Sequence, residues 1–146
     1  MVELTPMTHE VSLSELKEFM SRVVPYWKTL GLELKEVEPG RAVFEAAVHP
    51  GLMQNNVLHG GVLASIADSA CAVAAISLVF PERYATTVNL QLSYLRPVTE
   101  GRFRAEGKCL KAGKTLFFCE AQVFDGSSQL VCTASSQLMA VAKGKS

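Results

Sequence analysis

Apolar positions near the start of the chain recur at helical spacing. Leu13, Leu16, Phe19, Met20, Val23 and Val24 share one face behind Ser12-Leu13-Ser14-Glu15, which has the spacing of a capping box. A short amphipathic N-terminal helix is therefore predicted over about 12–30, broken or kinked at Pro25 and ended by Gly31. Leu32, Leu34 and Val37, a Pro39-Gly40 turn and the alternation from Ala42 to Val48 predict a hairpin, followed by a loop from His49 to Leu58. Val62 to Phe80 holds no Gly or Pro and is apolar on nearly every side, which describes a helix covered all round, ending at Pro81. The period then changes to two. Strands are predicted at Ala85–Leu95, Phe103–Leu110, Leu116–Phe124 and Leu130–Val141, with turn chemistry at Pro97–Gly101, Ala112-Gly113-Lys114 and Asp125–Ser128. The fold class is α+β: an antiparallel sheet of about six strands wrapped around one central helix at about 59–80, whose other side a partner subunit can bury.

With 146 residues, the chain is expected to form one domain spanning 1–146. Its 14 basic and 14 acidic side chains cancel, which removes the basic footprint of a nucleic-acid binder, so no nucleic-acid partner is expected. Apolar residues make up 49% and charged ones 19%, enough for a core and a subunit interface. Cys71, Cys109, Cys119 and Cys132 form no CxxC pair and have no histidine at ligand spacing. No metal and no cofactor are expected, and the thiols read as small core residues in a reducing compartment. Met1 to Glu10 carries acids and a proline where a secretory signal needs an apolar run, so a cytoplasmic location is expected. Asp68, Ser65, Ser69 and Ser77 argue against a membrane span over Val62–Phe80.

The chemistry concentrates in His59-Gly60-Gly61 and Asp68. Two glycines at a helix start let another molecule approach the backbone, and first-turn amides are unpaired donors at the positive end of the helix dipole. Such a turn suits an oxyanion hole, although a glycine pair alone also serves as a plain loop-to-helix turn. Asp68 adds weight. A carboxylate inside an apolar helix is costly to desolvate, and no cation lies within one turn of it in the sequence. His59 is compatible with a chemical role or with capping the helix.

His-Gly-Gly with an aspartate nine positions after the histidine, on a helix preceding a four-strand meander, resembles the PaaI-type branch of the hot-dog-fold thioesterases. Thr87-Val88-Asn89-Leu90-Gln91-Leu92-Ser93-Tyr94-Leu95-Arg96-Pro97 resembles that family's strand after the helix, and Lys111-Ala112-Gly113-Lys114 its later lysine-glycine-lysine turn. The resemblance covers about 30–142. It implies that the Gly60 amide polarises a thioester carbonyl, that Asp68 is general base or nucleophile, and that the Thr87 hydroxyl assists. The family usually carries an asparagine six positions before the histidine; Met53 stands there, with Gln54, Asn55 and Asn56 as neighbouring amides, so Gln54 or Asn55 is nominated for that contact.

On one straight helix, Gly60 and Asp68 lie about 12 Å apart along the axis and about 80° apart around it, so they cannot both reach one carbonyl. A homodimer with shared active sites is expected, Gly60 of one subunit facing Asp68 of the other, with a dimer of dimers left open. The expected reaction is hydrolysis of an acyl-coenzyme A thioester, with Gly61, Arg96, Lys111 and Lys114 as substrate-binding candidates. Two other readings stand beside it: a hydroxyacyl-CoA dehydratase or hydratase using His59 and Asp68, and a non-catalytic acyl-thioester binding protein.

Overall fold

The structure, a computed structural model, describes residues 13–142. The capping serine expected at Ser12 and the tail expected at the C-terminus lie outside the described residues. Helix α1 (Leu13–Val23) buries Leu16 and Met20 as an i, i+4 pair. Val24, at φ −121° and ψ 75°, leaves helical angles, and Pro25 opens α2 (Pro25–Leu30) at a position where a missing N–H costs nothing. Gly31 ends α2 in the left-handed region at φ 75°. Trp27 is the buried anchor of α2. Its ring meets Phe44 edge-on at 4.8 Å between centroids, and its Nε1–H donates to Ser69 Oγ at 2.9 Å.

Strands β1 (Glu33–Glu38) and β2 (Arg41–Ala47) form the expected hairpin. Between them and the central helix, the expected loop folds into a 3₁₀ turn at Pro50–Leu52 and a small hairpin, β3 (Met53–Gln54) with β4 (Val57–Leu58). Asn55 and Asn56 turn that hairpin at φ 51° and 62°, the pattern of a type I′ turn, for which asparagine is among the favoured residues. The meander is β5 (Arg83–Tyr94), β6 (Arg102–Ala112), β7 (Leu116–Asp125) and β8 (Leu130–Ala142). Six strands make one antiparallel sheet in the order β1-β2-β6-β7-β8-β5. Along β7, Phe117, Cys119, Ala121 and Val123 are buried while Leu116, Phe118, Glu120 and Gln122 face outward, so the alternation is that of a sheet with one covered face.

Helix α3 (Gly60–Ile76) lies across the covered face, completing the hot-dog arrangement. Its closest seat is on β6: a Cβ at Gly107 would stand 2.4 Å from the backbone carbon and oxygen of Ala70, an approach only glycine permits. One expectation for α3 needs correction. The helix stops at Ile76 instead of continuing to about residue 80, because Ser77 Oγ turns back to the Ala74 carbonyl at 2.7 Å while accepting the Gly40 N–H at 2.9 Å, and Leu78 and Val79 continue in i→i−3 turns. On the side away from the sheet, Ala64, Ser65, Asp68 and Ala72 form a half-buried stripe that begins at the exposed Gly61. Among the described residues, no helix is long and apolar enough to cross a membrane.

Strand β5 lies at the open edge of the sheet and carries a bulge. Thr87 pairs with Leu138, and Asn89 with Gln137, so Val88 is skipped by the ladder and is 60% exposed. The extra residue reverses the side-chain parity. Ala85 and Thr87 face α3 before the bulge, and Leu90, Leu92 and Tyr94 face it afterwards.

Candidate active site

The helix start is built by His59. At φ −61° and ψ 133° it is extended, and its ring Nδ1 accepts the Gly61 N–H at 2.8 Å, capping α3. The accepting nitrogen therefore carries no proton. A Cβ at position 61 would sit 2.9 Å from that Nδ1, so the second glycine of the pair makes room for the cap. The Gly60 carbonyl accepts a hydrogen bond from Tyr94 Oη at 2.8 Å. Both polar groups of the Gly60–Gly61 peptide are thus held by side chains. Among the described residues, nothing accepts from the Gly60 N–H itself, which stays available at the positive end of α3.

Asp68 lies two turns further on, half-buried, and accepts a hydrogen bond from Thr87 Oγ1 at 2.8 Å. The sequence suggested a buried carboxylate without a partner; the structure gives it one from β5 and partial access to solvent, which removes most of the desolvation cost. The bulge at Val88 allows this. Thr87 and Tyr94 are an odd number of residues apart, and a regular strand would place only one of them against α3. Tyr94 escaped sequence reasoning because its contact depends on that bulge. Its phenol, already a donor at neutral pH, is pushed further up by partial desolvation against α3 and by Cys132.

An open groove of about 280 Å³ runs beside Gly60, walled by Leu58, Leu63, Tyr94, Leu95 and Val98, with Arg96 in its lining. Arg96 is thereby brought to the Gly60 end of the site. Lys111 and Lys114 are not. They flank the β6–β7 turn, where the Lys114 carbonyl accepts from Arg83 at 2.8 Å, and Arg83 begins β5 at the end opposite Tyr94. Strand rise puts the two ends on the order of 35 Å apart. Gln54 and Asn55 are exposed on the β3–β4 hairpin, Asn55 as a turn residue, and Met53 pairs with Leu58. Among the described residues, no three His, Cys, Asp or Glu side chains are grouped to hold a metal.

A helix-start amide left free, and a helix carboxylate held by a strand hydroxyl, are the parts needed to polarise a carbonyl and direct a nucleophile at it. The thioesterase-superfamily model matches residues 55–132, from the β3–β4 turn through α3 into β8. The chain belongs to the thioesterase superfamily. Among its relatives, the medium/long-chain acyl-CoA thioesterase YigI of Salmonella typhimurium is 26% identical over 91% of this chain and 96% of its own. The 1,4-dihydroxy-2-naphthoyl-CoA hydrolase of Listeria monocytogenes is 25% identical over 81% of this chain and 97% of its own. A thioesterase family protein from Silicibacter pomeroyi superposes with a TM-score of 0.83 at 27% identity, covering 90% of this chain and 100% of that one. The hot-dog thioesterase assignment follows, and the chain is a thioester hydrolase.

Proposed function

We propose that the whole chain is one PaaI-type thioesterase domain that hydrolyses an acyl-coenzyme A thioester to a free acid and coenzyme A. The observation that carries this reading is the Thr87–Asp68 hydrogen bond on the same helix whose first amide, at Gly60, is left free. The thioester carbonyl oxygen accepts the Gly60 N–H, so the charge it gains in the transition state meets the positive end of α3. Asp68 of the partner subunit either takes a proton from the water that attacks the carbonyl carbon, or attacks that carbon itself to give an anhydride that water opens. In both routes the C–S bond breaks and the sulfur leaves as coenzyme A thiolate.

The homodimer is part of the proposal. Among the described residues, strand β5 is an unpaired edge with Val88, Tyr94 and, just past its end, Leu95 each more than half exposed, and the α3 stripe around Asp68 is open beside it. A second copy across a twofold axis covers both and brings Asp68 toward the other subunit's Gly60. Arg96 meets the coenzyme A phosphates at the groove; Lys111 and Lys114 act only on a site they reach from the partner. Four free thiols suit the reducing cytoplasm, where we place the protein.

Coenzyme A release from aliphatic and aromatic acyl thioesters tests the reading, since the relatives' names span both acyl types. Asp68→Asn at matched folding is expected to lower turnover by about 10²–10⁴-fold. If no thioester is cleaved, or if Asp68→Asn matches wild type, the catalytic assignment fails; loss of an enoyl thioester without coenzyme A release would instead mark hydration.

A further inference from the structure

Beneath α3, away from the candidate site, lies a thiol pair that the proposed hydrolysis does not use. Cys109 on β6 and Cys119 on β7 are direct partners in the ladder, both reduced and both buried on the inner face. The Cys109 N–H points away from β7, donating to the Gly40 carbonyl at 2.8 Å. The pair therefore occupies a non-hydrogen-bonded position, where facing Cα atoms come within about 4.5 Å and side chains approach most closely. A disulfide bridges Cα separations of roughly 4.4–6.8 Å, so closure needs little backbone movement.

The two thiols differ in a way that orders the chemistry. The facing Cys119 thiol lowers Cys109 from the ordinary thiol range, and the Cys109 thiol, together with burial, raises Cys119. Cys109 is also the more accessible, 8% exposed against 2% for Cys119. Beside it the ladder slips: the register shifts between Cys109 and Lys111, leaving Leu110 unpaired and 47% exposed. The remaining cysteines lack these features. Cys71 is fully buried and pushed up to about 12, first by burial and then by Asp68; Cys132 is fully buried, pushed up to about 11 by burial, and stands opposite Val123 and Tyr94.

We propose that Cys109 and Cys119 are an oxidative modification site, closed by hydrogen peroxide into an intrachain disulfide that ties β6 to β7 under α3. The Cys109 sulfur attacks one peroxide oxygen, the O–O bond breaks and water leaves, giving a sulfenic acid at Cys109. The Cys119 sulfur then attacks the Cys109 sulfur; the S–O bond breaks, and the hydroxide leaves with the Cys119 proton as a second water. Two thiols are oxidised and one peroxide is reduced. Reopening needs a dithiol reductant.

The test treats the full chain with hydrogen peroxide, denatures it in an alkylating reagent, and reads intact mass and cross-linked peptides. The expected result is alkylation falling from all four cysteines to two, a loss of about 2 Da before alkylation, a Cys109–Cys119 peptide, and reversal by dithiothreitol. Cys119→Ser is expected to stop at the Cys109 sulfenic acid, captured as a dimedone adduct. Four alkylatable thiols after peroxide, a Cys71–Cys109 link, a bridge between chains, or an adduct at another cysteine in Cys119→Ser overturns the proposal. Wild-type mass alone decides if the variant does not fold, and no readout depends on thioester turnover.

Discussion

Mixing two inactive variants tests the split site most directly. Gly60 and Asp68 are eight residues apart on α3, so about 12 Å of helix rise separates them, and one thioester carbon cannot be served by both groups of one chain. Gly60→Pro removes the amide donor with little other damage. Position 60 is the first residue of α3, where proline is favoured, and His59 at φ −61° and ψ 133° already has the extended backbone that a residue before proline requires. The first added carbon meets the Tyr94 ring at 3.3 Å, and that ring is 54% exposed and able to yield. Loss of an oxyanion donor costs about 10²–10³ in kcat, and loss of the carboxylate about 10²–10⁴. In a heterodimer of Gly60→Pro with Asp68→Asn, one site combines an intact glycine with an intact aspartate and the other has neither. Purified heterodimers should therefore show about half of wild-type turnover, and an equal statistical mixture about a quarter. Differently tagged chains, co-expressed and separated, give the species for a coenzyme A release assay. Heterodimers no more active than either parent would refute the shared site.

Two further outcomes follow from single contacts. Thr87→Val keeps the branched shape on β5 and removes the donor to Asp68; a hydrogen bond to a charged acceptor contributes about 1.5–3 kcal/mol, and partial exposure of the pair sets the lower end, so urea stability should fall by about 1.5 kcal/mol or less and kcat/KM by about tenfold. Gly107→Ala places a methyl 2.4 Å from the Ala70 backbone, and overpacking at a rigid contact should cost about 2–3 kcal/mol in urea unfolding, with a wild-type midpoint refuting the close seat of α3.

The central helix, the four-strand meander and the two catalytic candidates on α3 were legible because each rests on local pattern: an apolar run without breakers, alternation of period two, a glycine pair before a helix. Thr87 was legible through family resemblance, and its contact with Asp68 was not, since a single bulge at Val88 decides which β5 residues face the helix. Tyr84, Val88, Leu90, Leu92 and Tyr94 keep one even parity along the sequence, so the bulge leaves no mark in the alternation. The same cause hid Tyr94. The turn at Asn55-Asn56 is a local signal that was available, masked by reading the amides as replacements for a family asparagine. Lys111 and Lys114 lie far from Gly60 because sheet order, a long-range property, sets which end of β5 their turn adjoins. His59 had two readings, and its Nδ1 cap on Gly61, made by an exposed side chain, realises the structural one.

In the proposed shared site, the carboxylate and the amide sit on one helix yet serve different sites, and this follows from what each requires. The free amide must be at a helix start, because further along every N–H is consumed within the helix. The carboxylate must be held by a donor and kept from full burial, which on α3 happens only where the open stripe passes under β5. That stripe consists of small residues, Gly61, Ala64, Ser65 and Ala72, around Asp68, and so permits a close second helix instead of filling the space itself. Beside it, β5 leaves its outer backbone row unpaired with large apolar side chains exposed. In the proposed dimer, a twofold partner would complete the strand, cover the stripe and place each Asp68 by the opposite Gly60. Covering the sheet edge and assembling the site are then one event, so a variant that weakens the edge should lose turnover in step with the dimer.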